Sequence, residues 1–239
     1  MRPKIILFGD SITEDSFGEG GWGANLAHHF SRTLDLLLRG YSGYNTRWAL
    51  HVLEKVFPAE AETPLAIIVF FGANDASLPD RYGAFHHVPL HEYKQNLHSI
   101  VSFIKKRWPT TLVLLITPPP IDEDGRIQNP YMENPSGLPE RTNEAAGAYA
   151  KACIEVGKEC GMPVVDLWSK MQQFPGWQKN HLSDGLHLTP SGNRIVFDEV
   201  VEKLRKENLC RETLTVDLPL LEDMDLSDPL KVFQGLNNI

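Results

Sequence analysis

At 239 residues, 42% of them hydrophobic and 23% charged, the chain is long enough to bury one large core and has the size of a single α/β domain. A formal net charge of −8 argues against a nucleic-acid surface, which needs clustered Lys and Arg, and against binding to an anionic membrane. Cys153, Cys160 and Cys210 are an odd set without C-x-x-C spacing, which fits a reducing compartment better than a disulfide scaffold.

The first apolar run, Lys4 to Phe8, predicts a strand that Gly9-Asp10-Ser11 breaks. It is too short for a signal-peptide core or a bilayer span, so a cytoplasmic protein with no integral membrane segment is expected. Gly18-Glu19-Gly20-Gly21-Trp22-Gly23 fits the dinucleotide pattern, yet ten positions separate Phe8 from Gly18, whereas that fingerprint follows its strand at once. No cofactor is therefore expected, and the stretch reads as a pocket wall with Phe17 and Trp22 supplying apolar surface. Further strands are predicted at Thr33 to Leu38, Leu65 to Phe71, Thr111 to Ile116 and Pro163 to Leu167. Alternation of these runs with helical patterns predicts βαβ units and a parallel sheet buried on both faces. The breaks after the strands then share one edge, where open α/β folds place ligands, and Ser11, Gly43 and Asn74 meet on that rim.

Leu90, Tyr93, Leu97, Ile100, Val101 and Ile104 repeat at helical spacing, with Lys105-Lys106-Arg107 suited to a helix C-terminus and Pro109 beyond. A second helix is predicted from about Glu140 to Cys160, and a third after Thr189 as cap with Pro190 at its first position. Before the second of these helices, residues 118–139 are rich in Pro, Asp, Glu, Asn and Gly and read as a flap or lid, with Asp122-Glu123-Asp124-Gly125 as its solvated tip. Residues 1–210 form one predicted domain. Residues 211–239 form an acidic tail that is either disordered or docked through Leu218, Leu220, Leu221 and Phe233, on the body or on a second subunit as in a homodimer.

Asp184-Gly185-Leu186-His187 stands just before the last helix. Its spacing lets the carboxylate fold back onto the imidazole, which fixes the tautomer and leaves the other ring nitrogen free to take a proton from a serine. Ser11, at a strand end, is the candidate nucleophile, although Gly, Asp and Ser are also ordinary turn residues. The Ser11 N–H, the Gly43 N–H and the Asn74 amide are candidate donors to an oxyanion. Asp10 is read as shaping the turn. His86, His87 and His91 lack an acidic motif of the metal-binding kind, as do His28 and His29, so these are read as solvent-exposed and no metal is expected.

With Phe8-Gly9-Asp10-Ser11-Ile12-Thr13, Gly43, Gly72-Ala73-Asn74-Asp75 and Asp184-Gly185-Leu186-His187 in this order, the chain resembles the SGNH or GDSL hydrolases over most of residues 4–205. Arg39 to Tyr44 followed by Arg47-Trp48-Ala49-Leu50 looks like the isoamyl acetate-hydrolysing esterase branch. Tyr44 departs from the Asp that many bacterial members carry after the block-two Gly. The resemblance implies a flavodoxin-like, three-layer α/β/α hydrolase with Ser11, Asp184 and His187 as triad and Ser11, Gly43 and Asn74 as oxyanion hole. It implies a small-molecule ester substrate of the acetyl type, cleaved through an acyl-enzyme. Phe17, Trp22, Phe174, Trp177 and Leu182 are the expected pocket residues. A deacetylase of O-acetylated sugars or other metabolites, and a non-catalytic binding module on the same fold, remain as alternatives.

Overall fold

The computed structural model describes residues 2–234; Met1 and residues 235–239, the end of the predicted tail, lie outside the described residues. Five strands, β1 (Lys4–Gly9), β2 (Asp35–Gly40), β3 (Ala66–Phe70), β4 (Leu112–Ile116) and β5 (Val164–Val165), form one all-parallel sheet in the order β2-β1-β3-β4-β5. The helices are α1 (Ser11–Glu14), α2 (Trp22–His29), α3 (Thr46–Val56), α4 (Leu90–Arg107), α5 (Glu123–Gln128), α6 (Asn143–Cys160), α7 (Leu167–Met171), α8 (Trp177–His181) and α9 (Pro190–Lys206).

The pleat sorts β1 between two cores. Ile5 and Leu7 point to a cluster with Trp22 and Leu26 of α2 and Val196, Val200 and Leu204 of α9. Ile6 and Phe8 point the other way, to Ala49 and Leu53 of α3, Leu97 and Ile104 of α4, and Cys153 and Val156 of α6. The result is the expected three-layer α/β/α architecture. Among the described residues no helix is long and apolar enough to cross a membrane.

Strand ends differ from expectation by a residue or two, and at three boundaries a side chain claims the backbone. Thr33 turns back to bond the Phe30 carbonyl, and strand pairing starts where the Asp35 N–H meets the Pro3 carbonyl. The Asp166 carboxylate accepts from the Ser169 N–H and opens α7, so the fifth strand stops at Val165 instead of running to Leu167. Thr142 caps α6 through the Ala145 N–H, which leaves Glu140 and Arg141 outside the helix and free to turn inward.

Residues 118–139 are also more built than a solvated lid. They contain α5; Asp122 is buried, pairs with Lys179 at 2.6 Å, and takes its N–H bond to the Gly185 carbonyl. At the other end of the chain, Asp217 sits between Arg2 and Arg32 at 2.6 and 3.0 Å, and Arg32 also donates to the Leu218 and Pro219 carbonyls. Leu218 and Leu221 are exposed.

Candidate active site

Ser11 stands at the carboxyl end of β1, as the first residue of α1. Asp10 caps that helix, its Oδ1 accepting from the Ile12 N–H at 3.0 Å. Among the described residues, neither the Ser11 nor the Gly43 N–H meets a protein acceptor. Asp10 Oδ2 is buried without a partner, and burial pushes this carboxyl up to about 7.

Ser11 Oγ lies 3.0 Å from His187 Nε2, and His187 Nδ1 lies 2.8 Å from Asp184 Oδ2. A carboxylate only accepts, so Nδ1 carries the proton and Nε2 of the neutral ring is the acceptor facing the Ser11 hydroxyl. Asp184 Oδ1 accepts from the N–H groups of Leu186 and His187 at 3.0 and 2.8 Å. This folding back passes through Gly185 at φ +90°, where a Cβ would also fall 2.4 Å from the Asp122 carbonyl and 2.6 Å from the Arg126 nitrogen. Burial pulls the His187 imidazole down, but the hydrogen bond and charge of Asp184 outweigh it and leave its pKa above the ordinary value. Burial alone would raise the Asp184 carboxyl; His187 and, more weakly, Arg126 hold it well below the usual range.

Asn74, after β3, is oriented by its neighbours. Its Oδ1 accepts from Arg141 Nη2 at 2.8 Å, and its Nδ2 donates to the Tyr44 carbonyl at 2.9 Å. A guanidinium only donates, so the amide cannot be reversed, and one Nδ2 hydrogen is left for the cavity. The buried Asp75 carboxylate accepts from the Thr46 N–H and hydroxyl, and Asn45 Nδ2 donates to the His86 carbonyl at 2.9 Å. These bonds set the Gly43 turn against Asn74 and His86. The ring of Tyr44 packs on Tyr41 and Trp48, away from the cavity.

Ser11, Gly43, Asn74, Asp184 and His187 all line one cavity of about 320 Å³. Its apolar wall is Phe85, Tyr131, Met132 and Leu186. None of Phe17, Trp22, Trp177 and Leu182 lines it. Trp22 and Leu182 are core residues and Trp177 packs against the same core, because α2 and α9 cover the sheet face instead of its edge; Phe17 and Phe174 are exposed. The Gly18–Gly23 stretch likewise lies outside the cavity lining.

Three residues that sequence reasoning passed over complete the site. His86, read as solvent-exposed, is 8% exposed and lines the cavity, its Nδ1 3.3 Å from the Tyr131 hydroxyl. Burial lowers its pKa to about 4, with help from Arg141. Arg126 donates to Asp184 Oδ2 at 2.8 Å and to the Asp184 carbonyl at 3.0 Å. Arg141 is buried and holds Asn74. A signal for Arg141 existed: a cation in the first turn of a helix opposes the dipole, so Arg141 fits poorly in a helix that begins at Glu140.

A parallel sheet in the order 2-1-3-4-5, with this rim at its carboxyl edge, is the fold of the SGNH-type acylhydrolases. A lipase/acylhydrolase from Enterococcus faecalis superimposes with a TM-score of 0.69 at 27% identity, over 92% of this chain and 100% of that one. An acetylxylan esterase from Geobacillus stearothermophilus, at 20% identity and a TM-score of 0.66 over 85% and 95% of the two chains, shares the fold. The GDSL-like lipase/acylhydrolase profile matches residues 5–200, and the chain belongs to that family. A GDSL esterase/lipase of Arabidopsis thaliana is 64% identical over 98% of both chains. An isoamyl acetate-hydrolyzing esterase 1 homolog of Homo sapiens is 40% identical over 96% of this chain and 91% of its own. The protein is a carboxylester hydrolase.

Proposed function

We propose that the chain cleaves short-chain, acetyl-type esters through an acyl-enzyme on Ser11. The observation that carries this reading is the Ser11 Oγ–His187 Nε2–Asp184 line at 3.0 and 2.8 Å, in one cavity that Ser11, Gly43 and Asn74 also line. Ser11 Oγ attacks the ester carbonyl while His187 Nε2 takes its proton. The carbonyl oxygen, now negative, is held by the Ser11 and Gly43 N–H groups and by Asn74 Nδ2. His187 returns the proton to the departing alcohol. Water, giving its proton to the same nitrogen, then attacks the acyl-enzyme, and collapse frees the acid and restores Ser11.

The apolar wall of Phe85, Met132 and Leu186 suits an alkyl ester better than an acetylated sugar. Hydrolysis of isoamyl acetate, of p-nitrophenyl esters of increasing acyl length and of acetylated xylo-oligosaccharide separates these substrates. A fluorophosphonate is expected to label wild type and not Ser11→Ala, and Ser11→Ala is expected to lose turnover with its melting temperature kept. An unlabelled wild type, or an active Ser11→Ala, refutes the assignment and favours a binding module or a different nucleophile.

A further inference from the structure

We propose that Glu140 is a positioning residue that locks the Asp184 arm and the Asn74 arm of the site into one rigid unit; this rests on the reading of Ser11, His187, Asp184 and Asn74 given above. Glu140 is 0% exposed and its backbone carbonyl accepts from the Leu78 N–H at 2.8 Å. Its Oε1 accepts from Arg126 Nε at 2.9 Å and from Arg141 Nη1; its Oε2 accepts from the Tyr82 hydroxyl at 2.7 Å. Each guanidinium then reaches a different half of the site. Arg126 Nη1 goes to Asp184 Oδ2 at 2.8 Å, and Arg141 Nη2 goes to Asn74 Oδ1 at 2.8 Å.

A guanidinium is a flat, rigid fork, so fixing one edge fixes where the other edge points. One carboxylate thereby sets the position of the acid that orients His187 and the rotation of the amide that faces the oxyanion. Glu140 and Asp184 also balance the charges of Arg126 and Arg141. Buried ion groups of this kind add little to stability, since apolar residues of the same volume often do as well. What the arrangement supplies is registration between segments that come from residues 74, 126, 141 and 184 of the chain.

The charged groups that face His187 are Asp184, Asp10 and Arg126. With Glu140 removed, Arg126 is less neutralised and disfavours the His187 imidazolium, so the limb where activity falls in acid moves to lower pH. A residue that only supported the fold would change the amount of competent enzyme and leave that limb in place.

The test uses the full chain, p-nitrophenyl acetate and rates normalised to sites titrated by a fluorophosphonate. Glu140→Gln is expected to lower kcat by about a hundredfold with KM little changed, the cost of a displacement near 1 Å in a reacting group. Its acid limb is expected to lie below that of wild type. In an Asn74→Ala background the same substitution is expected to cost much less, because one of the groups it positions is gone. Should Glu140→Gln not fold, Arg141→Met decides: a kcat loss that vanishes in the Asn74→Ala background supports the proposal. Overturning results are a folded Glu140→Gln with wild-type kcat and acid limb, or an Arg141→Met with wild-type kcat. If Ser11→Ala is active or wild type is not labelled, the reading of the site has failed instead.

Discussion

The Nε2 atom of His86 stands 3.4 Å from the point that a Cβ on Gly43 would occupy. That distance is ordinary contact, so a methyl group fits there, but Gly43 holds φ +77°, which costs a residue with a side chain roughly 1–2 kcal/mol. Gly43→Ala is therefore expected to fold with a modestly lower melting temperature. If its N–H helps to hold the oxyanion, turning the peptide away lowers kcat by about a hundredfold with little change in KM. A lower melting temperature with wild-type kcat removes Gly43 from that role.

Asn74 is expected to act the same way through a side chain. Asn74→Ala removes a cavity donor and leaves the Tyr44 carbonyl and Arg141 Nη2 without their bonds. A kcat loss of about a hundredfold or more is expected, on the scale of other oxyanion donors. Steady-state kinetics at saturating ester measures it; an unchanged kcat would show that the amide only holds the Gly43 turn.

The pH profile follows from His187. As a base it must be neutral, and its pKa lies above the ordinary histidine value because Asp184 outweighs the effect of burial. Activity is therefore expected to be lost as pH falls through a midpoint above about 6.5. His86 does not produce this limb, since burial holds its pKa near 4 and it stays neutral throughout. In Asp184→Asn the limb is expected to move down and kcat to fall, which a pH series of kcat/KM reads directly.

Asp10 gives a stability prediction with its own sign. Burial raises its carboxyl from 3.8 to about 7, so the folded state prefers the proton and wild type loses stability as pH rises between those values. Asn at this position keeps an acceptor for the Ile12 N–H and has no charge to bury. The melting temperature of Asp10→Asn minus that of wild type is expected to be larger at pH 8 than at pH 5. Equal differences would mean that Asp10 is ionised at little cost.

Trp22 separates pocket from core. It is fully buried, packs near Phe70 and donates its indole N–H to the Ile12 carbonyl at 3.1 Å. Trp22→Ala is expected to cost about 3–5 kcal/mol in denaturant unfolding while the preference among acyl chain lengths is unchanged. Met132→Ala, on the cavity wall, is expected to shift that preference without a comparable loss of stability.

The contrast between those two residues shows which information is local. Ser11, Gly43 and Asn74 were legible because each follows a strand, and a parallel sheet sends all such ends to one edge whatever lies between them. Asp184 and His187 were legible because three residues with a Gly inside can close a bond on themselves. The cavity wall had no such rule. His86 is buried because Tyr131, 45 positions away, lies against it, and nothing around His86-His87 distinguishes that from a solvated pair. Phe17 and Trp22 follow the motif closely in sequence, yet the short α1 directs the chain from the rim toward the sheet face. The loop at 118–139 read as solvent because its acids are dense; the side chains of two of its residues, Asp122 and Arg126, find their partners far along the chain in Lys179, Glu140 and Asp184.

The bond between Ser11 and His187 joins residues 176 positions apart. On the proposed mechanism, synthesis delivers Ser11 long before its base His187, which comes after most of the domain, immediately before α9. Until that last segment docks, the hydroxyl is expected to be as unreactive as an ordinary serine. Contacts of such long separation are also the slow ones to form, because chain entropy must be lost before they stabilise anything. Reactivity toward a fluorophosphonate during refolding is thus a clock for the final closure, and it is expected to lag behind the return of helical signal.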